Sequence, residues 1–291
     1  MKKIISTVLI LCVLCSMNAA LAADAGQSRA VIGADLTAEQ VGRAYSLLGV
    51  EQGTVSELKV SNAEEREYLS GVVEESVIGT KSISCVYIEV LPEGSGVDVS
   101  THNITWCGED MYINALVTAG ISDAKVVVAA PWEVSGTAAL TGIYKAYEDI
   151  SGEQLNELAK LAGTKELVVT AELADEINSY DALMIVNEIK LILEETKQMT
   201  DEQVAQEIRT IAAEYNVSLT DGQIEQLVSL CRSLEKLNTD ELKAKVESVQ
   251  KTVKDIAEAK DKAGRFVDSV KSVIKSVIDF FSNIFNKFKS K

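Results

Sequence analysis

From Ser82 onward the chain alternates β-rich and helical segments, and this order constrains the fold more than any other feature. Ser82–Val90 ("SISCVYIEV") and Val97–Trp106 ("VDVSTHNITW") read as strands, separated by the turn cluster Pro92-Glu93-Gly94-Ser95-Gly96. That pair predicts a hairpin. A helix over Glu109–Ala119 stops at Gly120, and Lys125–Ala129 is a third strand. Helices follow over Thr137–Asp149 and Glu153–Ala162, with a fourth short strand at Glu166–Thr170. Strand–helix–strand order favours crossover connections and parallel pairing. The expected fold is α+β, a small mixed sheet (the hairpin plus crossover strands) with packed helices.

Helix starts are marked by capping boxes at Thr37–Gln40, Thr200–Gln203 and Thr220–Gln223, echoed at Ser151–Gln154, and Ser61–Glu64 starts a further helix. The remainder of the chain is helical. Its end carries a four-and-three apolar seam from Leu242 and Val246 through Phe288, interrupted at Lys260. Past Gly264 the stripe widens, with Phe266, Val270, Ile274, Val277, Phe281, Ile284 and Phe288 on the face expected to bind membrane or assemble. This predicts a leader at 1–22, an α+β domain at 23–175, a helical region at 176–238 and a long amphipathic or coiled-coil helix at 239–291.

Lys2-Lys3, an apolar run and Ala20-Leu21-Ala22 form an export signal with cleavage near Ala22. Charge is divided unevenly. Lys262–Lys291 carries seven basic and two acidic residues, net +5, whereas Ala23–Asp261 carries 19 basic and 42 acidic, net −23. An acidic body repels nucleic acid, so no nucleic-acid partner is expected. The basic end suits an anionic membrane surface. Three cysteines lie beyond the leader, and Cys85 and Cys107 are the pair that a disulfide would join, with burial as apolar residues the alternative.

"THNITW" (Thr101–Trp106), "MYINALVTAGISDAKVVVAAPWEVSGTAALTGIYKAYE" (Met111–Glu148) and "ELVVTAEL" (Glu166–Leu173) resemble the domain of unknown function 1002 family, also called YpuA-like. These are exported proteins of Gram-positive bacteria. The resemblance implies export and a shared domain, and carries over no activity or catalytic residue.

Two places hold the chemistry-bearing side chains. The apolar parity of the second strand shifts at Thr101-His102-Asn103, which predicts a bulge carrying the sole histidine. After Pro131 and Trp132, Ser135-Gly136-Thr137 opens a helix, and Ser135 or Thr137 is expected to cap it. A strand followed by such a helix start can hold an anion, but no Walker or dinucleotide glycine pattern is present, and Glu133 repels anions. Thr101, His102, Asn103, Trp132, Ser135, Gly136 and Thr137 are therefore the candidate ligand-binding set. Acidic pairs such as Glu64-Glu65 read as solvated helix faces, and no metal or cofactor is expected. The favoured function is a non-catalytic exported protein that binds or scaffolds an envelope component, with the C-terminal helix for membrane attachment or homo-oligomer assembly. The alternative is a secreted hydrolase or small-ligand-binding enzyme built on the bulge and the helix-start loop.

Overall fold

Five strands, β1 (Ser28–Gly33), β2 (Ser56–Val60), β3 (Cys85–Val90), β4 (Val97–Ile104) and β5 (Ala124–Val134), form one sheet in the computed structural model, which describes residues 27–73 and 75–247. The order is β2-β1-β3-β5-β4. Helix α1 (Ala38–Leu48) links the parallel pair β1 and β2, while α2 (Asn62–Leu69) and α3 (Glu75–Ile78) lead from β2 to β3. Helix α4 (Glu109–Ala119) links the parallel pair β4 and β5. Strand β3 runs antiparallel to both β1 and β5 and joins the two crossover units.

The predicted hairpin is therefore not formed: β5 lies between β3 and β4. The reason is burial. Val126 to Ala130 are all buried, and a continuous apolar run is satisfied only by a central strand with cover on both faces. The two N-terminal strands were not foreseen. β2 offers only Leu58 and Val60 as apolar positions, and most of its residues are exposed, so it carries little alternation.

Helix α1 covers one face of the sheet, packing Tyr45 and Leu48 with Ala30, Ile32, Cys85, Val127 and Ala129. The other face receives α5 (Ala139–Ser151), where Gly142 approaches Val31 and Val86 closely enough that a Cβ would stand 3.3 Å from Val31. Helix α6 (Glu157–Glu176) follows, then α7 (Ser179–Leu191), α8 (Leu193–Thr196), α9 (Asp201–Glu214) and α10 (Asp221–Leu234). Glu166–Thr170 is thus no strand but the middle of the 20-residue α6, where tertiary burial overrides the β preference of Val168-Val169-Thr170.

The capping boxes at Thr37, Ser61, Thr200 and Thr220 are formed. The echo at Ser151 is not a start: Ser151 ends α5, Gly152 caps it in the left-handed region, and Asn156 caps α6. The helices from α6 onward share a second apolar core, which also buries Leu242 and Val246 of the helical residues 239–247. The described residues up to Val246 form one compact unit. The seam beyond Glu247 and its Phe-rich face lie outside the described residues. Among the described residues, no helix is long and apolar enough to cross a membrane.

Candidate functional site

The bulge is present, but most of its extra length is in β5. His102 pairs with Ala129 and Ile104 with Val134, so Asn103 alone stands opposite Ala130, Pro131, Trp132 and Glu133. Pro131, which cannot donate to a ladder, sits in this excursion. Asn103 adopts φ 58° and donates its side-chain amide to the Ala130 carbonyl at 2.7 Å, closing the gap. Asn tolerates the left-handed region better than other side-bearing residues, which suits it to this position.

Pairing resumes beyond the bulge and fixes the loop. The Thr105 N–H donates to Val134 O at 3.0 Å, and the Cys107 N–H to Ser135 O at 3.1 Å. Gly136 then turns at φ 99°, and its carbonyl accepts from the buried Tyr112 hydroxyl at 2.5 Å. A Cβ at Gly136 would stand 2.5 Å from Ile104 Cγ2. This glycine is required by both its conformation and its neighbours.

Ser135 and Thr137 do not cap α5. The helix starts two residues later, with Ala138 at the N-cap in helical geometry and no side-chain cap. The two hydroxyls instead face one another at 3.4 Å, Thr137 being buried. Both line a cleft of about 290 Å³, together with Val134 and Ala138. The opposite wall is the run Val77–Ser84, including Thr80, Lys81 and Ser84.

His102 and Trp132 are not among the residues lining that cleft; both are exposed, Trp132 by 42%. The seven candidate residues therefore divide. Ser135 and Thr137 line the cleft, Gly136 and Asn103 hold the loop and the bulge, and Thr101, His102 and Trp132 lie outside it. Cys85 and Cys107 are free and buried, with no bond between them. Burial pushes the Cys107 thiol up to about 12, while the Tyr112 hydroxyl pulls the other way, so this sulfur is a poor nucleophile. Among the described residues, no group of three or more His, Cys, Asp or Glu is placed to hold a metal ion.

The far wall of the cleft, which the sequence did not point to, is fixed from behind. Ser82 is the one residue between Val77 and Ser84 that does not line the cleft. Its main-chain N–H donates to Asp35 Oδ2 at 2.7 Å, and its hydroxyl to Glu65 Oε1 at 2.6 Å. Glu65 is not on a solvated face: it is 1% exposed, whereas its neighbour Glu64 pairs with Lys145 at 2.5 Å. Burial opposes charge on Glu64, but hydrogen bonds from Lys145 and Ser61 hold its carboxyl down at about 2. The capping-box position of Glu64 was legible; the inward turn of Glu65, one residue on, depends on what packs there.

What the cleft offers chemically is hydroxyl-bearing residues, the N-cap residue Ala138 of α5 with no side-chain cap, and Lys81, a lining suited to an oxygen-rich ligand. Among the described residues, neither Ser135 nor Thr137 has a basic hydrogen-bond partner that could activate it.

The fold and cleft define a mixed α+β protein with a helical C-terminal half. The chain belongs to the family described as protein of unknown function (DUF1002), which it matches over residues 32–256. It is 37% identical over 262 residues to the uncharacterized protein YpuA of Bacillus subtilis (strain 168), spanning 89% of this chain and 87% of that relative. No solved structure matches it.

Proposed function

We propose that this is an exported, non-catalytic protein of the cell envelope, whose folded body is attached or assembled through its C-terminal segment. The observation that carries this reading is the burial of Leu242 and Val246, 4% and 1% exposed, in the helical core. The first two positions of the seam are buried in the body, and in sequence the pattern continues from them into the net +5, Phe-rich end. Apolar burial and attraction of lysines to anionic lipid act together on such a segment. The leader at Lys2–Ala22 supports export.

The test is flotation of the mature chain, and of one ending at Asp261, with anionic and neutral liposomes, alongside sedimentation. The full chain should float with anionic vesicles and the truncated chain should not. If the full chain ignores vesicles but truncation converts a dimer to a monomer, the segment serves assembly. If truncation changes neither, the reading fails.

The second reading, a small-ligand-binding protein or hydrolase, is favoured by the meeting of Ser135 and Thr137 with Lys81 around the cleft. Chemical-shift changes at residues 79–84 and 134–138 on adding small phosphates or carboxylates test it, and their absence would remove it.

A further inference from the structure

The strap of residues 79–84 is clasped at one point by two carboxyl groups. Ser82 is fully buried, bonded through its N–H to Asp35 and through its hydroxyl to Glu65, and the Asp35 N–H returns a bond to Ser82 O at 3.2 Å. Gly33 presses on the same peptide: a Cβ there would stand 2.5 Å from Ser82 O. Arg66 holds the strap's start, donating to Gly79 O at 2.7 Å.

Among the described residues, Glu65 itself has only neutral partners, the Ser82 hydroxyl and the Asn62 amide at 3.2 Å. Lys81, next to Ser82 on the strap, is exposed and lines the cleft, and the other cations nearby are engaged elsewhere. On its own helix, Arg66 pairs with Glu75 of α3; on α5, Lys145 pairs with Glu64; on α6, Lys160 bonds Glu148 and Glu157 and lies over Tyr68. The charges that act on Glu65 most directly are Asp35 and Glu64, both of its own sign.

We infer that Glu65 is a proton-operated latch on this strap: the neutral carboxyl clasps Ser82, and ionisation, with the proton passing to solvent, loosens the strap and reshapes the cleft it walls. The latch is independent of the attachment role proposed for the C-terminal segment. Ionising a carboxyl that is buried, uncompensated and beside like charge is costly. The open strap exposes the same group to water, where the charge is tolerated. Opening and proton loss are therefore linked. Burial pushes the Glu65 carboxyl up to about 7; the Ser82 and Asn62 hydrogen bonds pull it down, and Asp35 and Glu64 push it further up.

Hydrogen exchange of the mature protein tests this. With the intrinsic pH dependence of exchange removed, the amides of residues 80–84 should exchange up to about tenfold faster per pH unit between pH 5 and 7, and level off above it. Val127 and Val128 in the central strand serve as an internal reference. In Glu65→Gln, which keeps a neutral side chain of the same shape, the strap should show no such rise. Should that variant fail to fold, the Glu65 side-chain carboxyl and the Ser82 amide can be followed together by NMR in the unaltered protein, and their midpoints should coincide. A strap whose corrected exchange is flat from pH 5 to 7, a Gln variant that keeps the rise, or a carboxyl that titrates without any change at Ser82 overturns the latch.

Discussion

Lys190 on α7 donates to Glu166 on α6 at 2.8 Å, with neither side chain more than 1% exposed. The second carboxylate oxygen accepts from Thr118 of α4 at 2.5 Å, so one ion pair ties three helices together. Removing one partner leaves the other charge buried without compensation, which costs about 3–5 kcal/mol. Glu166→Met and Lys190→Met should each lower the urea midpoint sharply. The double substitution should be milder than either, since it removes both charges at once. Purely additive losses in the double-mutant cycle would show that the pair is not coupled as the structure has it.

Gly136 and Gly152 both occupy the left-handed region, but only Gly136 has neighbours where a Cβ would stand. Gly152→Ala should therefore cost about 1 kcal/mol, the conformational penalty alone. Gly136→Ala adds a collision with Ile104 and Tyr112 and should cost about 1–3 kcal/mol more. Matching losses in thermal or urea melts would mean that the loop relaxes freely, and the close packing behind the cleft would lose its argument.

Capping separates two threonines that look alike in the sequence. Thr200 accepts from the Gln203 N–H and closes a capping box, whereas Thr137 caps nothing. Thr200→Ala should cost about 1 kcal/mol. Thr137→Ser, which keeps the hydroxyl that meets Ser135 and removes a buried methyl, should instead cost only the packing of that methyl, about 1 kcal/mol or less. Amide exchange distinguishes the two sources of loss: Thr200→Ala should fray the first turn of α9, and Thr137→Ser should leave the first turn of α5 unchanged. Thr137→Val, which removes the hydroxyl and keeps the shape, should likewise leave that turn unchanged, and its fraying would restore the cap that the sequence suggested.

What was legible in the sequence is what is local. Thr37, Ser61, Thr200 and Thr220 could be read as helix starts because each box is closed within four residues. The bulge at Asn103 was legible from a parity change within one strand. The placing of β5 between β3 and β4 was not, because two strands joined by a short turn look like a hairpin until a third competes for the same edge. Glu166 is instructive in the same way. The run Glu166-Leu-Val-Val-Thr170 has strand composition, and only the buried lysine 24 positions away explains why a helix presents a carboxylate there. The candidate site was half legible for a similar reason. Ser135 and Thr137 mark one wall of the cleft, while the other wall is held by Asp35 and Glu65, distant in sequence from the loop.

The same carboxyl gives global stability a particular pH dependence. Glu65 is raised in the native state from 4.5 to about 7, chiefly by burial, so the folded protein binds this proton more tightly than the unfolded chain does. For a carboxyl raised in this direction the contribution to stability is full below about pH 4.5. It falls as pH rises toward 7, and is constant beyond, where both states have lost the proton. The slope has an upper bound of about 1.4 kcal/mol per pH unit within that window. Glu64, held at about 2 by Lys145 and Ser61 despite its burial, acts oppositely: its contribution is present above the unfolded value and is lost only as pH falls from about 4.5 toward 2. The two windows barely overlap, so the difference between the unaltered protein and Glu65→Gln isolates the buried group. Urea midpoints at pH 5, 6, 7 and 8 should show Glu65→Gln gaining on the unaltered protein up to pH 7 and running parallel to it at higher pH. A difference that is constant from pH 5 to 8 would mean that Glu65 keeps its charge in the fold, and would overturn the raised native value.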